Sequence, residues 1–157
     1  MTFIGIISDE AVENSIRREI LEKLKLRESS VLFIKEKSIE NIKNIKFETI
    51  IIDRKFKNSE ILKKILENAT YVIINADIKN NLSILENIKA TVLTYGFNSK
   101  ATITVSSVED EEIILCLQRI LQTKSGKNIE PQEIRMPICE NANLTMALAT
   151  IQMLYSH

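Results

Sequence analysis

With 157 residues the chain is long enough to build one domain around a real core, and short for two. Its 21 basic residues are balanced by 21 acidic ones, tryptophan is absent and other aromatics are few, so it carries no footprint for nucleic acid or an anionic membrane. The single histidine, His157, stands last in the sequence, which argues against a Ser-His-Asp triad, a Cys-His pair or a histidine-based zinc site.

The opening MTFIGIISDE is a short apolar run followed by acids, without the basic start or cleavage site of a signal peptide. It reads as a buried first strand over residues 3–8. Ile16, Ile20, Leu21 and Leu24 then recur at helical spacing among charged residues, and VLFI at 31–34 is strand-like. Ser38 is placed to cap a short helix, SIENIKNI, with Asn41 where a full capping box has Glu. TIIID at 49–53 is a strand. The stretch 59–68 is a helix with Ile61, Leu62, Ile65 and Leu66 on one face. YVIIN at 71–75 is a strand, NLSILENI at 81–88 a helix and ATVLTY at 90–95 a strand. Strand and helix thus alternate five times, and parallel neighbours need such crossovers. The expected fold is α/β, a Rossmann-like three-layer parallel sheet with helices on both faces.

Beyond Gly96 the period changes. Ala101, Ile103 and Val105 alternate with Thr102, Thr104 and Ser106, as in a half-buried strand. EEIILCLQRILQT at 111–123 fits helix or strand by pattern alone. Gly126 follows in KSGKN, and Pro131 and Pro137 bracket a segment suited to an edge strand. Residues 112–122 and 129–136 are therefore expected to form an antiparallel hairpin that extends the sheet. NLTMALATIQML at 143–154 is a helix. No linker or repeat divides residues 1–157, so one domain is expected. No apolar stretch reaches transmembrane length. Cys116 and Cys139 have no CxxC spacing and read as buried, reduced thiols, which suits a cytoplasmic protein.

Asp9 and Glu10 follow the first strand and Asp53 ends the third, so these acids are expected on the rim where parallel strands present their carboxyl ends. Ser8 belongs to the same rim. This pattern resembles a response-regulator receiver domain, whose clustered carboxylates hold Mg²⁺ beside a phosphate-accepting aspartate. The fourth strand, however, ends in Asn75-Ala76-Asp77 where a receiver has Ser or Thr, and the fifth in Tyr95-Gly96 where it has Lys and Pro. The bland alternative is that the acids are solvated loop residues.

The second half carries a more specific pattern: Ile74-Asn75-Ala76-Asp77, Leu93-Thr94-Tyr95-Gly96, Lys100-Ala101, and Asn143-Leu144-Thr145-Met146-Ala147-Leu148-Ala149, in that order. Over about residues 70–155 it resembles the central, ATP-binding domain of the Mur ligase family. The resemblance implies a central-domain-like α/β fold and places Asn75 near an adenine and Asn143 near the nucleotide, with Asp77 and Asn98 at neighbouring strand ends. The plainer reading is that Asn75 and Asn143 cap helices and order turns, as Asn does well.

The sequence departs from the family where ATP is bound. Mur ligases hold the triphosphate in a glycine-rich loop after the first central strand; the corresponding residues 7–15 contain no Gly and no Lys but include Asp9, Glu10 and Glu13. Gly5, Gly96 and Gly126 lie too far apart for either phosphate-cradling glycine motif. Ala142 stands where the family has histidine, Met146 replaces its second Asn, and nothing corresponds to the C-terminal ligase domain. Ligase activity is not expected, no catalytic residue or metal ligand is assigned, and no cofactor is expected, ATP being the one nucleotide the resemblance would bring. The expectation is a non-catalytic cytoplasmic binding or regulatory module, acting as a homodimer or beside a protein partner. The alternatives are a residual nucleotide-binding protein or enzyme with an altered phosphate site, and a receiver-like phosphoacceptor.

Overall fold

The computed structural model describes residues 2–79 and 81–157. Six strands run parallel: β1 (Ile4–Ile7), β2 (Val31–Phe33), β3 (Thr49–Ile52), β4 (Tyr71–Asn75), β5 (Thr91–Tyr95) and β6 (Ile103–Glu109). β7 (Glu112–Leu117) adds antiparallel to β6, and β10 (Gln132–Pro137) antiparallel to β7. The sheet order is β10-β7-β6-β5-β4-β3-β1-β2, and β8 (Leu121–Gln122) pairs with β9 (Asn128–Ile129) in a separate small ladder. This mostly parallel α/β sheet is consistent with a Rossmann-like fold, and its first five strands follow the doubly wound order 2-1-3-4-5.

Strand alternation divides the apolar residues between two cores. Ile6, Ile51, Ile73 and Leu93 lie in register across four strands and face α1 (Glu13–Leu24) and α4 (Ala142–Leu154). Ile7, Ile50, Ile52, Val72 and Ile74 face the other way, against α2 (Ile39–Ile42) and α3 (Ser59–Glu67). Covered on both sides, β1, β3 and β4 have no need of polar alternation, which is why they read as continuous apolar runs. Among the described residues, no helix is long and apolar enough to cross a membrane.

Several expectations are corrected. The stretch 81–88 is not an α-helix; a 3₁₀ turn spans Asn81–Leu85, and Glu86 and Ile88 bond back three residues. Asn87, at φ 65°, takes the left-handed conformation that ends a helix, and so short a segment cannot offset the cost of helix nucleation. Ser38 stands before α2, which is only four residues long, but its side chain makes no capping bond. The tight hairpin joins β6 to β7 through Asp110 and Glu111, with Asp110 at φ 38°. β7 and β10 are antiparallel neighbours as expected, but 118–131 leaves the sheet between them. Gln118 N–H bonds to Thr102 O, and Gly126 turns the β8–β9 ladder at φ 91°. β10 lies at the sheet edge, as its prolines indicate. Cys116 and Cys139 form no disulfide and are half-buried where full burial was expected.

Candidate functional site

In an open doubly wound sheet, ligands bind beyond the carboxyl ends of the strands where the order reverses, here between β1 and β3. Ser8 and Asp9 leave β1 at that point and Asp53 leaves β3, held beside β1 by its N–H to Ile7 O at 2.8 Å. Strand period brings further groups to the same face. Asp53, Asn75 and Tyr95 each follow by two residues a member of the register row Ile51, Ile73, Leu93. Their side chains converge: the Tyr95 hydroxyl donates to an Asp53 carboxylate oxygen, and the Asn75 side chain also hydrogen-bonds Asp53.

Burial sets the electrostatics of this cluster. Tyr95 is fully buried and Asn75 is 3% exposed. Desolvation pushes the Asp53 carboxyl up to about 6, against the lowering effect of the bonds from Tyr95 and Asn75, and the charge of Asp9 raises it further. Tyr95 is held well above its ordinary value, first by burial and then by the charge on Asp53 and the bond it donates there. Tyr95 is thus a fixed hydrogen-bond donor, and Asp53 keeps its proton more tightly than an ordinary carboxyl.

A second group forms the outer rim. Asn75 Oδ1 accepts from the Asp77 N–H at 3.0 Å, a local turn of the kind Asn favours. Asp77 in turn accepts from the Phe97 N–H at 2.6 Å and from Asn98 Nδ2 at 3.3 Å, and Asn98 Oδ1 accepts from the Lys100 N–H at 2.9 Å. Gly96 is required where this rim closes on β5: a Cβ there would stand 2.7 Å from Asp77 Oδ1. The residues picked from sequence therefore fall into two connected sets. Asp53 and Asn75 are inward, with exposed Asp9 acting on Asp53 through its charge, and Asp77 and Asn98 lie outside.

Asn143 belongs to neither hydrogen-bonded set. It is the second residue of α4, and the cap is Asn141, whose Oδ1 accepts from the Leu144 N–H at 2.9 Å. The expected capping role for Asn143 is thereby corrected. Among the described residues, Ser8 Oγ and Asn143 Oδ1 are buried without a hydrogen-bond partner. Tyr95 is the member of the cluster whose role the sequence did not disclose, although its place two residues beyond Leu93 aligns it with Asp53 and Asn75.

The residues present do not fit a triphosphate. Between β1 and α1 stands a 3₁₀ turn, Glu10–Val12, and the start of α1 is already supplied with negative charge by Glu13. Lys35 is engaged there by Glu13 at 3.3 Å and Glu10 at 3.9 Å. A phosphate would have to displace these acids from the helix terminus. Among the described residues, no group of three His, Cys, Asp or Glu side chains is placed to hold a metal ion. Two cavities, of about 450 and 550 Å³, lie at the other end of α4, around Gln152, Ser156 and Lys23. No protein-family model matches the chain, and no match is found among curated proteins.

Proposed function

We propose that the chain is a non-catalytic binding or regulatory module, with the Mur ligase-like motifs of its second half reflecting descent from such a central domain and a link to cell-wall metabolism. The observation that carries this reading is the chemistry of the crevice. Its carboxylates are held by internal donors, Asp53 by Tyr95 and Asn75, and Asp77 by Phe97 and Asn98. An acidic crevice so arranged repels a polyphosphate, and its two hydrogen-bonded carboxylates, Asp53 and Asp77, are engaged by the fold rather than free to drive transfer. The unpaired cysteines suit work in a reducing compartment such as the cytoplasm.

The receiver-like alternative draws support from the 2-1-3-4-5 strand order and from Asp9 standing close enough to act on Asp53. It fits less well. The prospective phosphoacceptor is already bonded to Tyr95, and β5 leads into Gly96 and Phe97 with no lysine to neutralise a phosphoryl group. Thermal shift with millimolar ATP, ADP and UDP-sugars, with and without Mg²⁺, is expected to show no stabilisation. A rise of more than a few degrees with any of them would favour the residual nucleotide-binding reading instead.

A further inference from the structure

One edge of the sheet is β10, whose outer side pairs with no other strand among the described residues. Ile138 N–H bonds to Glu111 O at 2.9 Å beside the β7–β10 ladder. In an antiparallel pair the bonding direction alternates, so Gln132, Ile134 and Met136 also direct their peptide groups toward β7. The peptide groups of Glu133 and Arg135 then point to the open edge. Pro131 and Pro137 share their parity, which places both prolines where no N–H is needed for the β7 ladder. The prolines bracket one short segment of available donors and acceptors.

We propose that this segment pairs antiparallel with the same segment of a second copy, about a twofold axis at Ile134. In that register Glu133 of each copy lies opposite Arg135 of the other, and each such pair exchanges two backbone hydrogen bonds. The outward side chains then form two complementary ion pairs, with Arg135 adding Glu133 of the second copy to Glu109 and Glu112, which it already meets at 3.4 and 3.6 Å within the chain. Shifting the register by two residues sets Glu133 against Glu133 or Arg135 against Arg135. Shifting it by one sets edge-facing peptide groups against inward-facing ones. The charge pattern therefore selects a single alignment, and the twofold makes it closed.

The other face of β10 fits the same occupant. Ile134 and Met136 are half-buried against the α4 core and line the cavity of about 450 Å³, together with Ile129, Ala149 and Met153. In the twofold register Ile134 meets Ile134 of the second copy, and Met136 meets its Gln132, so the second strand covers the apolar part of this groove, whose rim also holds Lys23, Gln132 and Gln152. Prolines and charges also serve to blunt sheet edges against association. Here, though, the two charges are of opposite sign and spaced to satisfy each other across a twofold.

Sedimentation velocity over the micromolar range tests this with the whole chain. The wild type is expected to dimerise, and R135E and E133R each to weaken dimerisation about tenfold or more, because each places like charges opposite one another twice. Both positions are exposed, and unchanged circular dichroism melting verifies that the variants fold. An equimolar mixture of the two single variants is expected to form heterodimers, since two acids then face two bases. The double exchange E133R/R135E is expected to recover the homodimer. A wild type that stays monomeric, single variants that dimerise as tightly as wild type, or a mixture that fails to associate would each overturn the proposal.

Discussion

Asp53 keeps its proton until about pH 6 in the folded chain, against 3.8 for an ordinary aspartate, chiefly because burial penalises its charge. The native state therefore binds this proton more tightly than the unfolded state. Its contribution to stability is complete below the ordinary value and is lost as pH rises through the folded one. Above that range a desolvated charge remains, at a cost on the order of 1–3 kcal/mol after discounting for solvent. Asp53→Asn retains an acceptor for the Tyr95 hydroxyl and cannot ionise. Urea denaturation should show the variant close to wild type near pH 4 and more stable than wild type at pH 8, the difference growing between them. A difference that does not change with pH would mean that Asp53 titrates as an ordinary surface carboxyl.

At the scale of elements, the start of α4 gives different roles to two asparagines with only Ala142 between them. Asn141 has extended backbone, φ −150° and ψ 174°, and its side chain satisfies the Leu144 N–H, so Asn141→Ala should cost about 1 kcal/mol in thermal or chemical denaturation. Asn143 Oδ1 satisfies nothing, and Asn143→Ala should cost less than Asn141→Ala or even stabilise. Equal losses at both positions would contradict this assignment. β1, β3 and β4 were legible from sequence because burial on both faces writes them as nearly continuous apolar runs rich in Ile. The cap was not, because it depends on backbone geometry that residue types alone do not carry. The 3₁₀ turn at Asn81–Leu85 was misread for a related reason: its apolar spacing is helical, but Asn87 turns left-handed after it. Of the candidate site, the acids and Asn75 were visible as strand-end residues. Tyr95 was hidden because an aromatic ending an apolar strand looks like core, and it is core, with a hydroxyl that reaches Asp53.

For the molecule as a whole, the sheet is unevenly protected. β3 and β4 lie between the two cores, whereas β10 sits at an edge with exposed Gln132, Glu133 and Arg135. Hydrogen exchange should accordingly be slowest in β3 and β4 and faster in the β8–β9 ladder, and uniform protection across these segments would contradict the uneven covering. α4 follows all the strands, yet it packs on α1 and on β4, β5 and β6, with every residue from Leu144 to Ile151 buried. The surface of β4, β5 and β6 that α4 covers is thus made before the helix that covers it. Docking of α4 is therefore the step that closes this side of the core, which favours late, all-at-once commitment to the fold over strand-by-strand growth.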